Sequence, residues 1–156
     1  MIKIVLLKDQ PEKLSQLAQI WHKELASIWA PEFSIAQAKE RFTTHLNDSE
    51  MPLTLVAIIN DQAVGMCSLR QNDGIRPDLC PWLGALVVDS DYQRQGIGRM
   101  LIEAAKEKAR SMGYTELFLF CFDPTIPAYY ERLGWKKIAM DHCRDLPVTV
   151  MEICLK

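Results

Sequence analysis

Residues 87–109, VVDSDYQRQGIGRMLIEAAKEKA, hold the most suggestive chemistry in the chain. A strand-like run gives way to Gln93, Arg94 and Gln95, then to Gly96 and Gly98 with Ile97 between them. A helical pattern begins there and carries Arg99. A helix N-terminus leaves backbone N–H groups unpaired and carries partial positive charge. Glycines beside it let a bulky anion reach the main chain, and Arg94 and Arg99 add charge. By its chemistry the stretch is a phosphate cradle. The same glycines would also serve a loop that only turns tightly. Two phosphate signatures are excluded: a dinucleotide fingerprint needs a third glycine where Leu101 stands, and a P-loop needs Gly-Lys-Ser/Thr.

The elements that must position this cradle follow from periodicity. IKIVLL reads as a first strand. Pro11 opens a helix at a position where its missing N–H costs nothing, and Leu14, Leu17, Ile20, Trp21, Leu25 and Ile28 recur at helical spacing. Pro31 stops that helix. Ser34 and Gln37 can form a capping box for a second helix to about Leu46. LTLVAII and QAVGMCSLR flank Asn60-Asp61, a hairpin signal, and CPWLGALVV is a further strand with Pro81 at its start. The helix after Gly98 runs to Met112 and stops at Gly113. ELFLFCF is a buried strand, PAYYERLG a short helix ended by Gly134, and WKKIAM and VTVMEICL are closing strands. The order β-α-α-β-β-β-α-β-α-β-β predicts an α+β fold, one mixed sheet covered by helices.

Composition bounds the class of protein. A chain of 156 residues with 49% hydrophobic and 24% charged residues is expected to fold as one domain, residues 1–156, with a buried core. A net charge of −2 gives no reason to expect a nucleic-acid partner. No apolar run approaches the roughly 20 residues that span a bilayer, and MIKIVLLKD lacks a cleavage-site pattern, so no membrane partner is expected. Cys67, Cys80, Cys121, Cys143 and Cys154 are odd in number and widely spaced, with no C-x-x-C pair. They suggest neither a disulfide framework nor a metal site, and fit a reducing cytoplasm.

QRQGIG, set between strand and helix, is similar to the Q/R-x-x-G-x-G/A signature of the GNAT superfamily of acetyl-CoA-dependent N-acetyltransferases. Farther on, AYYERLGW resembles that family's second landmark, with one helix and one buried strand between the two. The resemblance covers essentially the whole chain, most strongly from Trp82 to Trp135. It implies acetyl-CoA as cosubstrate, with no metal. Gln93, Arg94, Gln95, Gly96, Ile97 and Gly98 would wrap its pyrophosphate, with Arg99 following on the helix. Leu86, Val87 and Val88 would lie along the pantetheine arm, where a strand N–H could polarise the thioester carbonyl. Asp123 stands where relatives often have Asn near the cofactor. Tyr130 matches the tyrosine that relatives use as general acid toward the departing thiolate, and Tyr129 reads as packing.

The departures concern the base. Where relatives often carry a glutamate, in the fourth or fifth strand, this chain aligns Trp82 and Phe118. Asp78, just before the fourth strand, is a candidate by proximity, and Glu24 and His22 could edge an acceptor pocket. Water relay would need no base residue. An alkylammonium with a pKa of about 10 must lose its proton before it can attack the thioester. Tyr130 would then protonate the sulfur as it leaves. The expected acceptor is a small-molecule or peptide amine. Its pocket would be built by the first two helices, the 72–81 loop and the 141–147 loop, with Trp21, Trp29, Trp82 and Trp135 as aromatic surface. A homodimer through the closing strands is a fold-level expectation. A non-catalytic acyl-CoA-binding regulator of the same fold is the alternative; it would keep the cradle without the chemistry.

Overall fold

The computed structural model describes residues 1–27 and 30–156. Ile28 and Trp29, expected above at the end of the first helix and in the acceptor pocket, lie outside the described residues. The strands are β1 (Ile2–Leu6), β2 (Leu53–Ile59), β3 (Gln62–Arg70), β4 (Trp82–Val88), β5 (Glu116–Cys121), β6 (Lys136–Cys143) and β7 (Leu146–Cys154). The α-helices are α1 (Leu14–Trp21), α2 (Ile35–Thr43), α3 (Ile97–Ser111) and α4 (Pro127–Arg132). The sheet order is β1-β2-β3-β4-β5-β7-β6, antiparallel throughout except for the β4–β5 pair.

Local chemistry explains most boundaries. Asn60 and Asp61 both take left-handed backbone angles and close the β2–β3 hairpin, as their residue types favour. Arg144 and Asp145 do the same between β6 and β7, so the 141–147 loop expected from sequence is a two-residue turn. The capping box forms in full: the Gln37 N–H donates to Ser34 Oγ at 3.0 Å, and the Ser34 N–H donates to Gln37 Oε1 at 2.8 Å. Pro11 opens a 3-10 turn rather than the α-helix itself, which starts at Leu14 and passes into a π-helical segment, His22–Ala26.

The helices cover the two faces of the sheet. On one face, α3 buries Ile97, Leu101, Ile102, Ala105 and Ala109 in a core with Leu53, Leu55, Val64, Leu83 and Leu117. On the other, Leu17, Trp21 and Phe42 from α1 and α2 pack with Val56, Met66 and Val87. Burying each such large side chain contributes about 1.5–3 kcal/mol. A third cluster, Ile75, Trp82, Phe118, Val148 and Val150, joins β4 to the C-terminal strands.

Candidate active site

The site begins where the sheet comes apart. β4 and β5 run parallel and are in register only at Trp82↔Phe118. The indole of Trp82 is buried between the Phe118 and Phe120 rings, with both centroids 5.9 Å away, and its Nε1 donates to the Leu79 carbonyl at 2.8 Å. Trp82 and Phe118, expected from sequence to stand where relatives carry acids, thus form an apolar clasp at the apex of the split. Beyond it a cavity of about 770 Å³ opens between the strands, walled by Leu83–Leu86 on one side and Leu119–Asp123 on the other. A bulge directs β4 away: Ser68 and Met66 of β3 face Gly84 and Val87, so Ala85 and Leu86 together oppose Cys67. Ala85 adopts φ +51°, a left-handed angle that costs a non-glycine residue free energy. The β5-facing edge of β4 is left with unpaired peptide groups, the kind of edge that an extended chain can join.

At the far end of β4 lies the cradle. Gly96 is the N-cap of α3 with φ +81°, and a Cβ there would meet no atom within 4 Å. Met100 donates the first intrahelical bond, to Gly96 O at 3.1 Å, and no side chain caps the helix. The N–H groups of Ile97, Gly98 and Arg99 therefore point out of the helix with no partner among the described residues, beside exposed Arg94. Gln93 Nε2 donates to the Val88 carbonyl at 3.0 Å, and Val88 Cγ2 lies 3.9 Å from where a Cβ on Gly98 would stand. These contacts tie the loop to the end of the strand. A further tie comes from α1: Glu24, half-buried, accepts from the Ser90 N–H at 2.6 Å. Neither Glu24 nor His22 lines the cavity.

Of the strand residues singled out for the pantetheine arm, Leu86 lines the cavity, Val87 is buried under α1, and Val88 abuts the cradle. Tyr130 lines the cavity from the β5 side. Its ring packs edge-on against Trp135 at 5.8 Å and Tyr129 at 5.4 Å, and its hydroxyl has no hydrogen-bond partner among the described residues. Burial raises its pKa above that of an ordinary phenol. Asp123, also on the lining, is exposed; it accepts from the Thr125 N–H at 2.8 Å and from the Thr125 hydroxyl at 2.7 Å, which hold its pKa down.

Asp78 is not brought to this cavity. It sits in a separate depression with Cys80, Tyr114 and Glu116, and Arg76 grips both its oxygens at 2.9 and 2.8 Å. That ion pair keeps its carboxyl more acidic than usual, the wrong direction for a base. The carboxylate that sequence reasoning missed is Asp73. Its side chain is only 12% exposed, it lines the cavity, and burial raises its pKa against the opposing pull of Arg70 and Arg41. Gly84 lies directly beneath it: a Cβ there would stand 2.9 Å from Asp73 Oδ2, so any larger residue would force that carboxylate to shift. No signal in the loop 71–75 pointed to this; Gly84 within a strand was the one local hint of a close approach.

The expected acceptor regions do converge. Trp21 of α1, Leu25 of the π-helical segment, Phe33, Arg41 of α2, Asp73 and Arg144 all line the cavity. Trp21, Trp82 and Trp135 are nonetheless buried, and only Trp21 among them shares in the lining.

A mixed sheet split between its parallel strands, with a glycine cradle on the helix that follows β4, defines an acyl-CoA N-acyltransferase fold. Known structures carry the same architecture. An aminoglycoside 6'-N-acetyltransferase complexed with coenzyme A superposes with a TM-score of 0.76 at 19% identity, over 100% of this chain and 97% of that one. The ribosomal-protein-S18-alanine N-acetyltransferase of Escherichia coli gives 0.73 at 21% identity over 99% and 94%. A Salmonella typhimurium protein with its cofactor acetyl-CoA gives 0.77 at 16% over 99% and 94%. No curated protein sequence matches the chain. The acetyltransferase (GNAT) family model matches residues 15–135, and the chain belongs to that family. It is an acyltransferase, and acetyl transfer is its class of reaction. Among the described residues no helix is long and apolar enough to cross a membrane.

Proposed function

We propose that this chain transfers the acetyl group of acetyl-CoA to a primary amine of a small molecule or peptide by direct attack. Acetyl-CoA would supply an acyl group activated as a thioester together with a thiolate leaving group. The residues present fit it. Open space at Gly96, three outward N–H groups and Arg94 suit a pyrophosphate, and the unpaired edge of β4 at Leu86–Val88 suits an extended amide-bearing arm.

The observation that carries the reading is Tyr130: a buried phenol, unbonded to protein, on the wall of the cleft into which that edge leads. Its raised pKa keeps it protonated throughout the neutral range. The same burial raises the proton affinity of a thiolate departing beside it, so the two remain matched for proton transfer. Asp73 is the buried carboxylate of the cavity, and its raised pKa makes it a better proton acceptor than Asp78 for an incoming ammonium. The regulator alternative leaves Tyr130's free hydroxyl without a purpose.

Tyr130→Phe keeps the ring contacts and deletes the donor. It is expected to lower kcat by about 10²–10⁴ while leaving the Kd for acetyl-CoA within a few-fold. A folded variant with parental kcat across pH would remove Tyr130 from the mechanism.

A further inference from the structure

On the acceptor side of the cavity, arginines outnumber the carboxylates they pair with among the described residues. Three arginines line it, Arg41, Arg70 and Arg144. Arg144 is paired with Glu32 at the rim, and Arg70 gives one nitrogen, Nη1, to Asp73 Oδ1 at 2.9 Å. Arg41 has neither an ion pair nor a side-chain hydrogen bond among the described residues. Its guanidinium is half-buried, with Cζ 5.5 Å from the centroid of the Trp21 ring. Stacking of that kind stabilises the charge but gives the N–H donors nothing to bond to.

The carboxylates on the lining are bonded elsewhere, although Asp73 also attracts Arg41 from beyond ion-pair distance. Asp73 is engaged by Arg70 and shared with it. Asp123 is exposed on the β5 side and held by Thr125. His45, packed behind, is buried and hydrogen-bonded through Nδ1 to Thr54 Oγ1 at 2.8 Å, and burial with the nearby arginines pushes its pKa down to about 3. Burial lowers the pKa of Arg41, and the neighbouring positive Arg70 adds to the effect, against the opposing pull of Asp73. A site that holds a desolvated, unpaired guanidinium favours an anion there. The walls around it, Trp21, Leu25 and Phe33 with Phe120 opposite, are apolar.

We infer that the acceptor is an amine that also carries a carboxylate on an apolar body, as a large apolar free amino acid does, with Arg41 as the carboxylate anchor. The inference rests on the acetyl-transfer reading only in taking this cavity as the acceptor site. Polycationic amines are disfavoured by the same surplus charge. A free amino acid places its amine two bonds from the carboxylate carbon. Arg41 would then hold one end of the acceptor while Asp73, on the same wall as its ion partner Arg70, faces the other.

Two readouts test it. Calorimetry on the CoA-loaded protein compares N-acetyl-L-phenylalanine with N-acetylphenethylamine, a pair that differs only in the carboxylate. The acid is expected to bind about ten- to hundredfold more tightly, the range for a charge-assisted hydrogen-bonded contact. Arg41→Gln should erase that difference and Arg41→Lys retain part of it, which keeps the test valid if one variant does not fold. Thiol release from acetyl-CoA with L-phenylalanine, phenethylamine and kanamycin is the second readout, and L-phenylalanine should lead by a similar factor. Equal binding of the two probes, binding of neither, or a preference that survives in Arg41→Gln would overturn the anchor. A binding preference for the acid without thiol release with L-phenylalanine would uphold the anchor and overturn the free amino acid as acceptor. Rapid release with phenethylamine and no binding preference would overturn the anchor and uphold acetyl transfer.

Discussion

The two ends of the cleft offer a ligand different means of recognition. The cradle at residues 93–99 is main chain: an uncapped helix end, a glycine with φ +81° and three N–H groups aimed outward. The acceptor wall is side chain: Trp21, Arg41, Asp73 and Phe120 arrive from four separate segments and meet only because the sheet splits after Trp82. A backbone site tolerates changes of side chain but not bulk over the peptide groups. A side-chain site behaves in the opposite way, since each group has a charge or shape that nothing else supplies. The cradle therefore suits a group common to every turnover, and the wall suits the partner that varies.

The largest effect should come from filling the cradle. Gly96→Glu places bulk and negative charge beside the outward N–H groups and is expected to weaken acetyl-CoA binding by at least about 100-fold, as two like charges in contact would. Gly96→Asn, which tolerates left-handed backbone angles, separates strain from occlusion and should bind within about tenfold of the parent. Parental affinity in a folded Gly96→Glu protein, read by calorimetry, would break the backbone half of the contrast.

An intermediate effect concerns the support beneath the acceptor wall. Burial first, then the charges of Arg70 and Arg41, push the pKa of His45 down to about 3. Unfolding returns it to about 6.5, so the unfolded chain binds the extra proton. The stabilising contribution is whole above pH 6.5 and is lost as pH falls toward 3, by about 2–3 kcal/mol at pH 4.5. His45→Gln can keep a bond to Thr54, which in turn bonds Ser68 Oγ at 2.8 Å. Urea midpoints of this variant should fall less between pH 7 and 4.5 than those of the parent. Equal falls would mean that His45 carries no such penalty.

The smallest effect should be at Gln93, whose side chain is exposed and braces the loop through Val88 O. Gln93→Ala removes one bond worth about 0.5–1.5 kcal/mol and should change acetyl-CoA affinity by less than about tenfold. A loss as large as that of Gly96→Glu would mean that side chains, not peptide groups, hold the phosphates.

This contrast also decides what could be read from the sequence. Element order, the capping box at Ser34 and Gln37, and the hairpin at Asn60-Asp61 depend on neighbours in the chain, and all are legible there. The cradle is equally local, since one turn of helix and two glycines suffice for it. Asp73 was invisible because its importance lies in a long-range fit over Gly84 and beside Arg70. Arg41 carries no signal of its own on an amphipathic helix; only the packing of α2 sets it over the cleft. Asp78 misled for the same reason in reverse: nearness in sequence to β4 did not place it in the cavity, and Arg76 occupies its carboxylate.

The central claim is that the gap between β4 and β5 passes an acetyl group rather than merely holding a cosubstrate. Thiol release from acetyl-CoA, followed with and without a panel of amines, tests it most directly. Amine-dependent release that saturates in both substrates, with an N-acetylated product of matching mass and amount, is the predicted result. Tight acetyl-CoA binding with no amine-dependent release from any member of a panel spanning amino acids, peptides, polyamines and aminoglycosides would contradict it.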